Sequence, residues 1–156
     1  MRVRSATGDR EVTASEFFTG LLTTDIAANE MLVEIVFPSP KPRSGSCFLE
    51  IARRRGDFAL AGVAATVTLD EEQRCTGVRL ALCGVGETPV DASHAASSLI
   101  GRHCSSDAID AVASEVGATI APSGNVHASP DYQRHIAVVL TKRALETAHT
   151  RAGHGA

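Results

Sequence analysis

An apolar alternation over residues 60–69 and a second over 77–83, with only a polar connection between them, constrain this chain more than any other feature. In the first run Val63, Ala65, Val67 and Leu69 fall on one side. In the second, Val78, Leu80 and Leu82 do the same. A period of two marks strands with one buried face. The connection Asp70-Glu71-Glu72-Gln73 is short enough to make the two runs an antiparallel pair. A third run, 47–53, precedes them. A sheet with one apolar face needs a cover, and the rest of the chain must supply it.

The period changes to helical further on. Ala92, Ala95, Ala96, Leu99 and Ile100 recur at helical spacing after Asp91, a candidate N-cap, with Gly101 as a stop. Ile109, Val112, Ala113 and Val116 follow Ser106-Asp107 in the same way, with Gly117 as the stop. After a loop over 121–130 rich in Pro, Ser, Gly and Asn, the residues Tyr132, Ile136, Val139 and Leu140 mark a long last helix from Asp131. Strands first and helices afterwards give an α+β fold. The expectation is a small antiparallel sheet of three to four strands, covered on one face by three helices.

The first 38 residues do not read as self-sufficient. Residues 1–4 alternate like the end of a strand, and Gly8-Asp9 is a turn signal. A short helix is expected over 13–20 with Ser15 near its cap, and 32–37 alternates again, with Val33, Ile35 and Phe37 on one face. Ser39-Pro40-Lys41-Pro42-Arg43-Ser44-Gly45 reads as a linker. The expected divisions are therefore 1–38, a linker 39–45, a domain 46–148 and a flexible tail 149–156.

At 156 residues there is room for one domain plus a fragment of another. A net charge of −3 makes no electrostatic case for nucleic acid or an acidic membrane surface. No apolar run approaches the ~20 residues that span a bilayer, and no signal-peptide pattern opens the chain, so a cytoplasmic protein is expected. Cys47, Cys75, Cys83 and Cys104 fit neither a CxxC pair nor a cluster motif, and free buried thiols are the expectation. His103-Cys104 lacks a second close pair that would complete a metal site. Elbow, zincin and phosphate-loop motifs are missing, and Gly84-Val85-Gly86 carries Pro89 where a dinucleotide fingerprint needs its third Gly. No catalytic residue is expected.

One run has chemistry. In Arg53-Arg54-Arg55-Gly56-Asp57-Phe58, three cations lead into a Gly-Asp corner, and one of only five Phe opens the next strand. A lone aromatic beside a carboxylate and guanidinium groups can floor a planar, polar-edged ligand. A charged strand end followed by a buried Phe is the plainer reading of the same residues.

Other stretches fall in register with this run. They are Ala14-Ser15-Glu16-Phe17-Phe18-Thr19-Gly20, Glu30-Met31-Leu32-Val33-Glu34-Ile35-Val36-Phe37-Pro38, Gly84-Val85-Gly86-Glu87-Thr88-Pro89-Val90, Asp131-Tyr132-Gln133-Arg134-His135 and Lys142-Arg143-Ala144-Leu145. In this order, from about residue 10 to 145, the chain resembles the C-terminal half of the FAD-binding medium subunit of molybdenum hydroxylases, the carbon monoxide dehydrogenase and xanthine dehydrogenase family. The resemblance implies that 1–38 is the tail of an FAD-binding domain and that 46–148 is the flavoprotein C-terminal domain. It implies a role in passing electrons from iron–sulfur clusters through FAD to an acceptor. Phe58 would lie against the flavin with Asp57 just before it, Leu32 would pack near the ring, and Arg53 would place positive charge nearby. The implied partners are an iron–sulfur small subunit, a molybdenum-binding large subunit and the missing FAD-binding domain. The glycine loops that hold the FAD pyrophosphate in this family, of the Ala-Gly-Gly-x-Ser and Thr-x-Gly-Gly kinds, occur nowhere in this chain. Most of the cofactor would therefore be bound by an N-terminal domain that this chain lacks. The alternative is a cofactor-free docking or assembly module, or an inactive truncated fragment.

Overall fold

A computed structural model describes residues 1–154. The chain divides into two compact units, Met1–Pro40 and a second beginning at Lys41. In the first, β1 (Arg2–Ser5) lies between β2 (Gly8–Glu11) and β5 (Met31–Glu34), antiparallel to both. Between them come α1 (Ala14–Phe17), β3 (Phe18–Gly20) and β4 (Thr23–Thr24). Alternation sets the two faces of β1. Val3 packs with Val12 and Phe17, while Arg2 and Arg4 point the other way to Glu11 and Asp9 across the ladder.

Three details of this unit differ from the sequence expectation. The hairpin turns at Ala6-Thr7, with Gly8-Asp9 already in β2. The helix is only four residues long, with Thr13 rather than Ser15 at its N-cap, and the chain extends again from Phe18. The strand expected over 32–37 stops at Glu34, and Val33, Ile35 and Phe37 are all exposed, Phe37 by 82 %. A unit of this size has too little interior to bury them.

In the second unit β6 (Ser44–Ala52), β7 (Ala59–Leu69), β8 (Cys75–Cys83) and β9 (Val90–Asp91) form one antiparallel sheet in that order. Val63, Ala65, Val67, Leu69, Leu80 and Leu82 all join its core. The expected linker is shorter than its composition suggests, because Ser44 and Gly45 already pair with Thr68 and Val67. A 3-10 turn (Ala95–Leu99), α2 (Ser106–Thr119) and α3 (Pro130–His154) provide the cover.

Asp91 does not cap the first of these. It ends β9, and its carboxylate accepts from the Ser93 N–H at 2.9 Å. Ser105 caps α2, accepting from the Ala108 N–H at 3.3 Å. Gly117 does not stop α2 but lies buried within it, facing Val138 of α3. Pro130, whose missing N–H costs nothing at a helix start, opens α3 one residue earlier than expected. That helix runs through 149–154, where a flexible tail is expected, and Ala152 is buried; residues 155–156 of that tail lie outside the described residues.

The inner stripe of α3 is Ala137, Thr141, Ala144, Ala148 and Ala152, each almost wholly buried. Small side chains at helical spacing let the helix backbone lie close on the sheet. Thr141 is the exception in chemistry, because its buried hydroxyl has no hydrogen-bond partner among the described residues. Thr141→Val keeps the shape and removes the desolvated hydroxyl. It should raise stability by about 1 kcal/mol. A urea midpoint at or below that of the parent chain would contradict this.

Candidate functional site

The β6–β7 ladder closes at the pair Ala52↔Ala59, just beyond a register irregularity at Ile51/Ala52. Residues 53–58 form the connecting loop. Its turn is closed by the Asp57 N–H donating to the Arg54 carbonyl at 3.2 Å. Gly56 occupies the third place of that turn with φ +86°, a conformation that suits glycine and strains other residues. The corner therefore follows directly from the Gly-Asp step.

The structure brings two of the four singled-out residues into contact. Arg53 Nε lies 3.5 Å from Asp57 Oδ2, an exposed pair worth at most about 1 kcal/mol. Phe58 comes next and is 93 % exposed. The expectation of a buried Phe at this strand mouth is the one that fails. Leu32 belongs to the first unit, where it is half-buried against the cluster of Val3, Val12 and Phe17. Arg54 and Arg55 are exposed and make no ion pair among the described residues. A surface hollow of about 410 Å³ between α2 and α3, lined by Asp110, Val138, Lys142 and Glu146 among others, does not include this loop.

The strand leaving the loop is fixed from behind. Gln133, on the first turn of α3, is only 3 % exposed. Its Nε2 donates to the carbonyls of Leu60 at 3.0 Å and Gly84 at 2.9 Å. Its Oε1 accepts from the Gly124 N–H at 3.0 Å. Sequence reasoning missed this residue as part of the site. The signal was there, since Gln133 shares the helical face of Ile136, Ala137 and Leu140 and so had to be buried with partners. Tyr132, expected on that face, is instead about half exposed.

The remaining candidates do other work. Among the described residues no group of His, Cys, Asp and Glu could hold a metal ion. Cys47, Cys75 and Cys104 are buried and Cys83 is partly so, all as free thiols. Cys75 Sγ donates to the Gly77 carbonyl at 3.4 Å. The neighbouring Cys104 thiol draws the Cys75 pKa down, while its own is pushed up by Cys75 and by burial. No helix among the described residues is long and apolar enough to cross a membrane.

Comparison with known proteins gives a consistent picture. Residues 46–148 match the family model of the CO dehydrogenase flavoprotein C-terminal domain. The chain is 32 % identical over 149 residues to the 6-hydroxypseudooxynicotine dehydrogenase complex subunit alpha of Paenarthrobacter nicotinovorans, covering 96 % of this chain and 50 % of that protein. Among solved structures, carbon monoxide dehydrogenase from Hydrogenophaga pseudoflava superposes with a TM-score of 0.90 at 30 % identity, over 96 % of this chain and 52 % of that one. Quinoline 2-oxidoreductase from Pseudomonas putida 86 gives a TM-score of 0.89 at 32 % identity, over 97 % and 52 %. The chain thus spans about half the length of the curated relatives it matches.

Proposed function

We propose a function for this chain on the ground of its family: it belongs to the CO dehydrogenase flavoprotein C-terminal domains. It forms part of the FAD-containing subunit of a molybdenum hydroxylase and supplies one wall of the flavin pocket. The observation that carries this reading is the Phe58 ring, 93 % exposed at the end of a short loop, in a protein otherwise poor in aromatics. One exposed apolar side chain needs no explanation by itself, and what singles out Phe58 is its place directly after a cationic Gly-Asp corner, where it offers a flat face to a planar, polar-edged ligand.

The residues fit the isoalloxazine end of FAD and not its phosphate end. Phe58 would offer a flat apolar face to the ring, and Arg53, paired with Asp57 at the corner, would supply positive charge beside it. A pyrophosphate needs several converging N–H donors, and the glycine loops that provide them are not in this sequence. That end belongs to the FAD-binding half. The exposed Val33, Ile35, Val36 and Phe37 are the apolar surface such a half would cover. FAD, when bound, supplies the redox chemistry, carrying electrons from iron–sulfur clusters to an acceptor. This chain's residues orient the ring and exclude water from one side of it. The partners in this reading are an iron–sulfur small subunit and a molybdenum-binding large subunit.

The test is reconstitution. The chain purified alone should be colourless, because one wall without a phosphate cradle holds FAD weakly. Co-expressed with the N-terminal half of a relative's medium subunit, it should retain flavin. Stoichiometric flavin absorbance in the lone chain, or none in the combined protein, would count against the reading. A second reading, a docking module without cofactor, draws on the exposed Arg54 and Arg55, which make no ion pair among the described residues. It requires co-purification with a partner subunit in the absence of flavin.

A further inference from the structure

We infer that Gln133 is a positioning residue for the 53–58 loop: its buried amide fixes the strand immediately behind Phe58, so the aim of the exposed ring is set from α3. The inference rests on the reading of Phe58 as a flavin wall and deepens it. Only Ala59 separates Phe58 from Leu60, whose carbonyl Gln133 holds at 3.0 Å. On the other side of the loop the last cross-strand pair is Ala52↔Ala59, beyond an irregularity in register. The ladder alone therefore defines one end of the loop loosely, and the second anchor comes from a different element.

The anchor is specific to an amide. Both donors of Nε2 are taken by main-chain carbonyls, of Leu60 and of Gly84 where the chain leaves β8. The oxygen takes the Gly124 N–H from the loop ahead of α3. One side chain thus ties four segments together, and buried amides with every partner in place are rigid. A hydrocarbon of the same length would fill the space but leave two buried carbonyls and one N–H without partners. The side-chain hydrogen bonds of Gln133 go to main-chain groups of Leu60, Gly84 and Gly124 and not to Phe58, so it acts through the backbone it holds.

The experiment uses the full chain carrying Phe58→Trp, which introduces its only tryptophan. Gln133→Leu is added to this background. Expected results are amide exchange about tenfold faster over 58–61 than in the parent, the equivalent of roughly one lost hydrogen bond, with the ladder centre at 63–67 unchanged. Fluorescence anisotropy of the introduced indole should fall in parallel. Should Gln133→Leu fail to fold, Gln133→Met is read in the same two assays. A lower unfolding midpoint with unchanged loop exchange and unchanged anisotropy would overturn the inference, since Gln133 would then only hold α3 to the sheet. Both measurements are made without flavin, so their failure is separate from that of the flavin reading. The latter fails if FAD in the combined protein does not quench the Phe58→Trp indole. If it does quench, quenching left unchanged by Gln133→Leu would also overturn the positioning role.

Discussion

Gly45→Ala should unfold the second unit or cost it about 3 kcal/mol or more, at the upper end for an overpacked site. Gly45 is the second residue of β6, and the α3 backbone crosses directly over it. A β-carbon there would overlap the Ala148 carbonyl oxygen and the Ala152 nitrogen, and would sit 2.8 Å from the carbonyl carbon of Arg151. These are main-chain atoms inside a helix, so no side-chain rotation relieves the overlap. Either α3 lifts away from the sheet or its last turns unwind. Both outcomes expose Ala148 and Ala152 and break the Arg151 hydrogen bond to the Ser46 carbonyl. Gly77→Ala is the matched control, because its added carbon meets only the Thr68 side chain at an ordinary 3.6 Å. Urea denaturation of the two variants should separate their midpoints by about 1–3 M, from a loss of about 3 kcal/mol and a slope of about 1–3 kcal/mol/M, or show outright loss of the Gly45→Ala fold. A Gly45→Ala protein as stable as Gly77→Ala would show that the helix does not lie where the structure puts it.

Phe58→Ala should do the reverse, leaving the fold alone and weakening flavin retention. The ring is 93 % exposed, so its loss changes stability by less than about 0.5 kcal/mol. If it lies against a flavin, burying it there is worth about 1.5–3 kcal/mol, or roughly tenfold to more than a hundredfold in flavin affinity. Flavin retained through gel filtration by the combined protein gives the readout, with the unfolding midpoint measured on the same sample. Retention equal to that of the parent protein would remove Phe58 from the pocket.

The α+β class was legible because the period of two over 60–69 and 77–83 and the helical period over 109–116 each persist for several residues. Errors gathered at ends. Asp91 and Gly117 look like a cap and a stop by residue type, yet Asp91 closes an edge strand and Gly117 makes room for Val138. Residue type reports a local conformational preference, and tertiary contacts overrode it at both positions.

For the candidate site, the corner at Gly56-Asp57, the charge before it and the aromatic after it were already readable in the chain. These are local properties, written in adjacent residues. The folded arrangement was needed to show that Phe58 faces outward, that Leu32 is half-buried in a separate unit, and that Gln133 reaches Leu60 from 73 positions away. Exposure and long-range hydrogen bonds depend on which elements are brought together. That pairing is set by the whole core, and no short stretch of sequence encodes it.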